Sequence, residues 1–215
     1  MYQELGLPEP WLPVAEGAEP TPLVIYGAAS AVGAYAVQLA RRSNIHPLIT
    51  VAGKSAPHVE ALIDRSKGDT IIDYRDGDEA VVEGIQKAAG GRRILHALDA
   101  VANATSVAHL GTVLAEGGRL TTVLPPPEGT AEAIAHLKTS WTKVGDAHEG
   151  AKDFSYVYLR FLARGLHEGW FKPQPQVVVP GGLGGIQKAL DDLKAGRVNG
   201  VKYVFRIADT EGVGK

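Results

Sequence analysis

The run Gly27-Ala28-Ala29-Ser30-Ala31-Val32-Gly33 constrains this chain more than any other segment. Before it stands Leu23-Val24-Ile25-Tyr26, a short apolar and partly β-branched stretch that predicts a buried strand. After it, Val32, Ala36, Leu39 and Ala40 fall on one helical face, and the pattern stops by Asn44, ahead of Pro47. A buried strand that passes through small residues into an amphipathic helix opens a β-α unit. The alternation then repeats: strands are expected at 48–51, 70–73, 94–99, 120–124 and near 141–145, with helices at 57–66, 78–89, 104–115 and 130–138. Apolar strands joined by short helical crossovers require a parallel sheet covered on both faces.

The expected fold class is therefore α/β, a doubly wound parallel sheet of Rossmann type spanning residues 23–150. The flanks read differently. Met1 to Gly6 resembles the last turns of a helix, and five prolines within residues 7–22 make an irregular connector. Residues 151–215 carry a helix at 153–168 rich in Phe154, Tyr156, Tyr158 and Phe161, an extended Val177-Val178-Val179, a helix at 186–195 and a final alternating strand ending near Ile207. That strand needs a partner, and its sheet is expected to be separate from the main one.

Composition narrows the function classes. With 22 Lys+Arg against 24 Asp+Glu, the net charge of -2 advertises no polyanion-binding surface, so no nucleic-acid partner is expected. Without cysteine there are no disulfides, thiolate metal sites or cysteine nucleophiles. No apolar run approaches the ~20 residues of a membrane span, and residues 1–4 lack a signal-peptide pattern. A soluble, cytoplasmic protein with no membrane partner is the expectation. The seven histidines show no metal spacing: His148-Glu149 is followed by Gly150-Ala151, and HExxH is absent. No metal ligands are assigned. There is no GxSxG elbow either, and the catalytic residues are unknown from sequence.

A small-residue turn entering a helix is suited to phosphate, because backbone N–H groups must approach the anion and the helix dipole favours it. Gly27 permits the turn, Ala29 keeps it open, Ser30, Ala31 and Val32 are expected to present amides, the Ser30 hydroxyl adds a donor, and Gly33 permits close helix–strand packing. Alternatively, the same run is a tight turn that binds nothing. Cofactor choice rests on the second strand, which ends Thr50-Val51-Ala52-Gly53-Lys54-Ser55; the first acid downstream is Glu60. An acid there would bind a ribose 2′-OH, whereas Lys54 and Ser55 suit a 2′-phosphate, so NADP(H) is favoured over NAD. Tyr74 is placed near the adenosine end, or else is a structural tyrosine. Val101 and Leu124, beyond strands four and five, are candidate apolar walls for the nicotinamide ribose.

The run 23–34 resembles the cofactor loop of medium-chain dehydrogenase/reductases, particularly zinc-independent quinone oxidoreductases and fungal trans-enoyl reductases. The likeness continues at Ile72-Asp73-Tyr74-Arg75, Leu98-Asp99-Ala100-Val101, Gly117-Gly118-Arg119-Leu120, Val178-Val179-Pro180-Gly181-Gly182-Leu183 and Lys194-Ala195-Gly196-Arg197. The resemblance supports Ser30, Ala31 and Val32 at a pyrophosphate and Lys54, Ser55 and Tyr74 at a 2′-phosphate. Members of that family begin with a GroES-like domain that this sequence lacks, and the resemblance implies that 151–215 corresponds to the segment that completes it. The implied activity is hydride transfer from NADPH to a small molecule with an electron-poor double bond, an enone or enoyl thioester, or to a quinone. Two alternatives stand beside it: a cofactor-binding module without turnover of its own, and an interaction fragment that forms a homodimer through 153–168 and 202–207.

Overall fold

The computed structural model describes residues 1–213. Two compact units divide the chain, Met1–Lys172 and Pro173–Lys215.

The first unit is built on six parallel strands: β1 (Leu23–Tyr26), β2 (Leu48–Ala52), β3 (Thr70–Asp73), β4 (His96–Asp99), β5 (Arg119–Thr122) and β6 (Lys138–Trp141). Their spatial order is β3-β2-β1-β4-β5-β6. The order reverses at β1, where Tyr26 pairs with Val51 on one side and Asp99 on the other. Crossovers are α2 (Ala31–Arg42), α3 (Ala56–Glu60), α4 (Asp78–Ala89) and α5 (Ala104–Val113); the short α1 (Tyr2–Leu5) precedes the sheet. Alternation along each strand splits the core into two layers. Leu23, Ile25 and Leu48 pack with Ala34 and Val37 of α2, while Val24, Tyr26, Ile49 and Val51 pack with Val81 and Ile85 of α4 and Val107 and Leu110 of α5. Each large side chain buried this way contributes about 1.5–3 kcal/mol.

Gly6 ends α1 in the left-handed region at φ 66°. The connector beyond it is pinned rather than loose. Trp11 lies 5.0 Å from Tyr158 and 5.4 Å from Phe161, both on α6 (Lys152–Glu168). Tyr2 and Phe154 close the same aromatic cluster.

Three elements differ from expectation, the first being β6, which runs Lys138–Trp141 rather than lying near 141–145. Residues 132–134 form a single 3₁₀ turn in place of a helix over 130–138, because β6 begins at Lys138. Gly111 lets α5 pack directly on that turn: a Cβ there would stand 2.3 Å from the Ala133 carbonyl oxygen. Helix α3 stops at Glu60 rather than at 66, since the Asp64 N–H is taken by the Asp69 carboxylate at 2.9 Å.

In the second unit, β7 (Gln176–Val178) and β8 (Lys202–Val204) form their own parallel pair, with α7 (Ile186–Lys194) between them in sequence. The final strand has its partner there, apart from the six-stranded sheet. No helix among the described residues is long and apolar enough to cross a membrane.

Candidate functional site

Ligands of open α/β sheets bind beyond the carboxyl ends of the strands, where strand order reverses. Here that point lies between β1 and β4, and the Gly27–Gly33 turn occupies it. Gly27 has φ 74°, a conformation costly for any side-chain-bearing residue. A Cβ on Gly33 would meet the Gly27 carbonyl oxygen at 2.3 Å, so α2 can approach β1 only because residue 33 is glycine.

Ser30 is the N-cap of α2, its Oγ accepting from the Gly33 N–H at 3.0 Å. Its own N–H donates to the Gly27 carbonyl at 2.9 Å and closes the turn. Of the three amides expected to face a ligand, the Ser30 amide is thus consumed internally. Ala31 and Val32 head the helix, where an N–H has no carbonyl one turn back. Because Ser30 Oγ accepts through a lone pair, its own proton stays available to donate. Ala29 is half-buried in the turn, and Val32 and Ser30 are exposed. The glycine cradle and the helix N-terminus fit a dinucleotide pyrophosphate in shape and in donors.

The structure brings Val101 and Tyr74 into contact with backbone that flanks this cradle. Val101 Cγ2 lies 2.6 Å from where a Cβ on Gly27 would stand, and the Tyr74 ring covers Gly53 so closely that a Cβ would approach Cε1 to 2.5 Å. Lys54 follows Gly53 into solvent, and Ser55 caps the start of α3. The nearest acid on the β3 side is Asp73. It is clasped by Arg75 through Nε at 2.8 Å and Nη2 at 2.5 Å, and this partner holds its carboxyl down to about 2. The Asp73 charge is thereby offset by Arg75. Leu124 is exposed beyond β5, its carbonyl accepting from Thr122 Oγ1 at 2.6 Å.

The structure adds residues that sequence reasoning left without a role. Asp99, wholly buried at the end of β4, accepts from the Val101 N–H (2.9 Å), the Ala102 N–H (2.8 Å) and Ser106 Oγ (2.6 Å). Burial pushes its carboxyl up, against these hydrogen bonds. The clamp holds Ala102 at φ 55° and sets Val101 against the glycine turn. Asn103 and Ser106 form a capping box that starts α5 immediately afterwards. On the same edge, the Tyr26 hydroxyl meets His109 Nδ1 at 3.1 Å, and His109 Nε2 meets Asp78 Oδ1 at 3.1 Å. Among the described residues, no group of three or more His, Asp or Glu side chains is placed to hold a metal ion.

No protein-family model matches the sequence. Curated relatives do. A trans-enoyl reductase of Gibberella fujikuroi, fsr4, is 45% identical over 182 residues, covering 84% of this chain and 53% of that protein. This chain is a homologue of the trans-enoyl reductases. The Alternaria alternata trans-enoyl reductase ACTTS2 is 31% identical over 96% of the chain and 60% of its own length. The homologue thus spans between about half and three-fifths of the relatives it matches. Solved structures agree on the fold: the CurK enoyl reductase superposes with a TM-score of 0.66 at 20% identity, over 85% of this chain and 53% of that one. An alcohol dehydrogenase from Aeropyrum pernix superposes with a TM-score of 0.65 at 22% identity, over 89% and 52%. The fold is a Rossmann-type parallel sheet, and the chain resembles enzymes named as reductases.

Proposed function

We propose that this trans-enoyl reductase homologue binds NADP(H) and serves the reduction of an electron-poor double bond, in an enone or enoyl thioester, or of a quinone. The observation that carries the reading is the turn at the β1/β4 switch point, where Gly27 at φ 74° and a Gly33 without room for a Cβ bring the head of α2 onto the end of β1. NADPH, when bound, supplies the hydride. The chain's residues do the rest. The amides of Ala31 and Val32 and the Ser30 hydroxyl bind the pyrophosphate, while Lys54, Ser55 and Tyr74 take the 2′-phosphate end. Val101 and Leu124 exclude water from the nicotinamide ribose. The relatives' names point to the double-bond substrate.

A second reading is a cofactor-binding module without turnover of its own. In the interaction reading, α6 uses Tyr158 and Phe161 on Tyr2 and Trp11 within the first unit and leaves Tyr156 and Leu159 exposed. Turnover assays separate the first two readings. Loss of NADPH absorbance on addition of an enone, an enoyl thioester or a quinone supports reduction. Binding of NADPH with no oxidation on any of the three leaves the module.

A further inference from the structure

The sequence contains three asparagines, Asn44, Asn103 and Asn199, and the fold treats them differently. An asparagine rearranges when the amide nitrogen of the following residue reaches its side-chain carbonyl carbon. A tethered side chain, a bulky follower or an engaged amide each obstructs that approach. All three protect Asn44. Its Nδ2 donates to the Val14 carbonyl at 2.9 Å and its Oδ1 accepts from Lys67 Nζ at 2.5 Å, while the next amide, that of Ile45, donates to the Ala40 carbonyl at 3.0 Å. Asn103 is held as the N-cap of α5, its Oδ1 accepting from the Ser106 N–H at 2.8 Å, and Ala104 after it is already helical.

Asn199 lacks these restraints. It is exposed, between the end of α7 at Lys194 and the start of β8 at Lys202. Its Nδ2 reaches the Arg197 carbonyl at 3.4 Å, beyond the usual range of an N–H···O bond. The follower is Gly200, which has no side chain to shield its nitrogen, and its N–H makes no hydrogen bond among the described residues. Gly200 sits at φ 63°, in the region open to glycine. The loop is anchored by Arg197, whose Nε and Nη2 lie 2.8 and 2.7 Å from Asp192 Oδ1, and this anchor stops two residues short of Asn199.

We infer that Asn199 is a site of spontaneous covalent modification, at which water converts the Asn199-Gly200 linkage to an aspartyl or isoaspartyl one. The Gly200 nitrogen gives up its proton to base and bonds to the side-chain carbonyl carbon of Asn199. The bond from that carbon to Nδ2 breaks, and ammonia leaves. Water then opens the cyclic imide: attack at the side-chain carbon yields aspartate, and attack at the main-chain carbon yields isoaspartate, which routes the backbone through the side chain. Nothing is oxidised or reduced. Either product adds one negative charge to the net charge of -2. The isoaspartyl form also lengthens the main chain by one methylene just ahead of Lys202, whose N–H donates to the Pro175 carbonyl at 2.7 Å and which pairs with Gln176 at the start of the β7–β8 register.

The test is incubation of the full chain at neutral and at mildly alkaline pH, read by peptide mapping in a mass spectrometer and by enzymatic carboxyl methylation, which labels isoaspartate. A synthetic peptide spanning residues 194–203 is incubated beside it. The folded chain is expected to gain about 1 Da at Asn199 at the peptide's rate, faster at the alkaline pH, while Asn44 and Asn103 stay unmodified. Asn199→Gln, whose longer side chain closes a less favourable ring, should abolish both the gain and the methylation. Asn199→Ser, a second variant in case the first fails to fold, should do the same. An Asn199 that stays intact in the folded chain while the peptide converts would overturn the assignment, as would a gain that falls on Asn44 or Asn103 or persists in both variants.

Discussion

The two ends of the six-stranded sheet each carry a fully buried aspartate used as a clamp, and they differ in what they hold. At the amino end, Asp69 accepts from the Leu48 N–H (2.8 Å), the Asp64 N–H (2.9 Å) and His46 Nδ1 (2.7 Å). It ties the start of β2 to the loop before β3. At the carboxyl end, Asp99 ties β4 to the start of α5 and seats Val101 on the glycine turn. The chemistry is the same, a carboxylate satisfying N–H groups that have no other partner, since a buried donor without an acceptor is costly. Only the second clamp sets a side chain, that of Val101, against the glycine turn. Position relative to the switch point, rather than burial or charge, separates a clamp that stabilises from one that also shapes the site.

Substitutions at the two aspartates probe that distinction, and the largest effect is expected at the amino end. Asp69→Ala leaves the Leu48 and Asp64 amides and His46 unpaired and should destabilise the chain by about 3–5 kcal/mol in chemical unfolding. The NADPH affinity of the remaining folded protein should not change. If affinity falls as well, the contrast between the ends fails. Asp99→Ala should cost about 1–3 kcal/mol of stability, and it should weaken NADPH binding about tenfold or more as Val101 and Ala102 leave their positions. Ser106→Ala removes one donor to Asp99 and one arm of the capping box. It should cost about 1 kcal/mol in a thermal melt and weaken NADPH binding only a fewfold.

The smallest effect is one of pH. His96, at the amino end of β4, has a buried Nδ1 with no hydrogen-bond partner, and burial together with Arg119 pushes its ring down from 6.5. A base with a lowered folded value binds fewer protons folded than unfolded. Its contribution is therefore present above pH 6.5 and is lost as pH falls through the lowered folded value. Melting temperature should decline modestly on acidification below pH 6.5, and His96→Phe should flatten that decline.

Much of this architecture is legible in the sequence, and the rest is hidden for identifiable reasons. Leu23–Tyr26 declares itself through an unbroken apolar run, Leu48–Ala52 through one interrupted only by Thr50, and Gly27 and Gly33 through their place between strand and helix. Tyr74 and Val101 could be placed at strand ends, although their contacts with Gly53 and Gly27 needed three dimensions. The Asp99 clamp is invisible as a pattern, because an aspartate after an apolar strand has no periodic signature. His109 is harder still: its partners Tyr26 and Asp78 lie 83 and 31 residues away, and only the packing of α4 and α5 on one face of the sheet unites them. The Ser30 amide shows the opposite error. Motif reasoning counted it toward the ligand, whereas the turn needs that N–H to close on Gly27.

The central claim is that the carboxyl edge is an NADP(H) site, and parallel titration of the chain with NADPH and NADH tests it most directly. The account predicts NADPH binding in the micromolar range, clearly weaker NADH binding, and a gap that narrows in Lys54→Ala. Binding of neither dinucleotide, or equal binding of both that Lys54→Ala leaves unchanged, would contradict it.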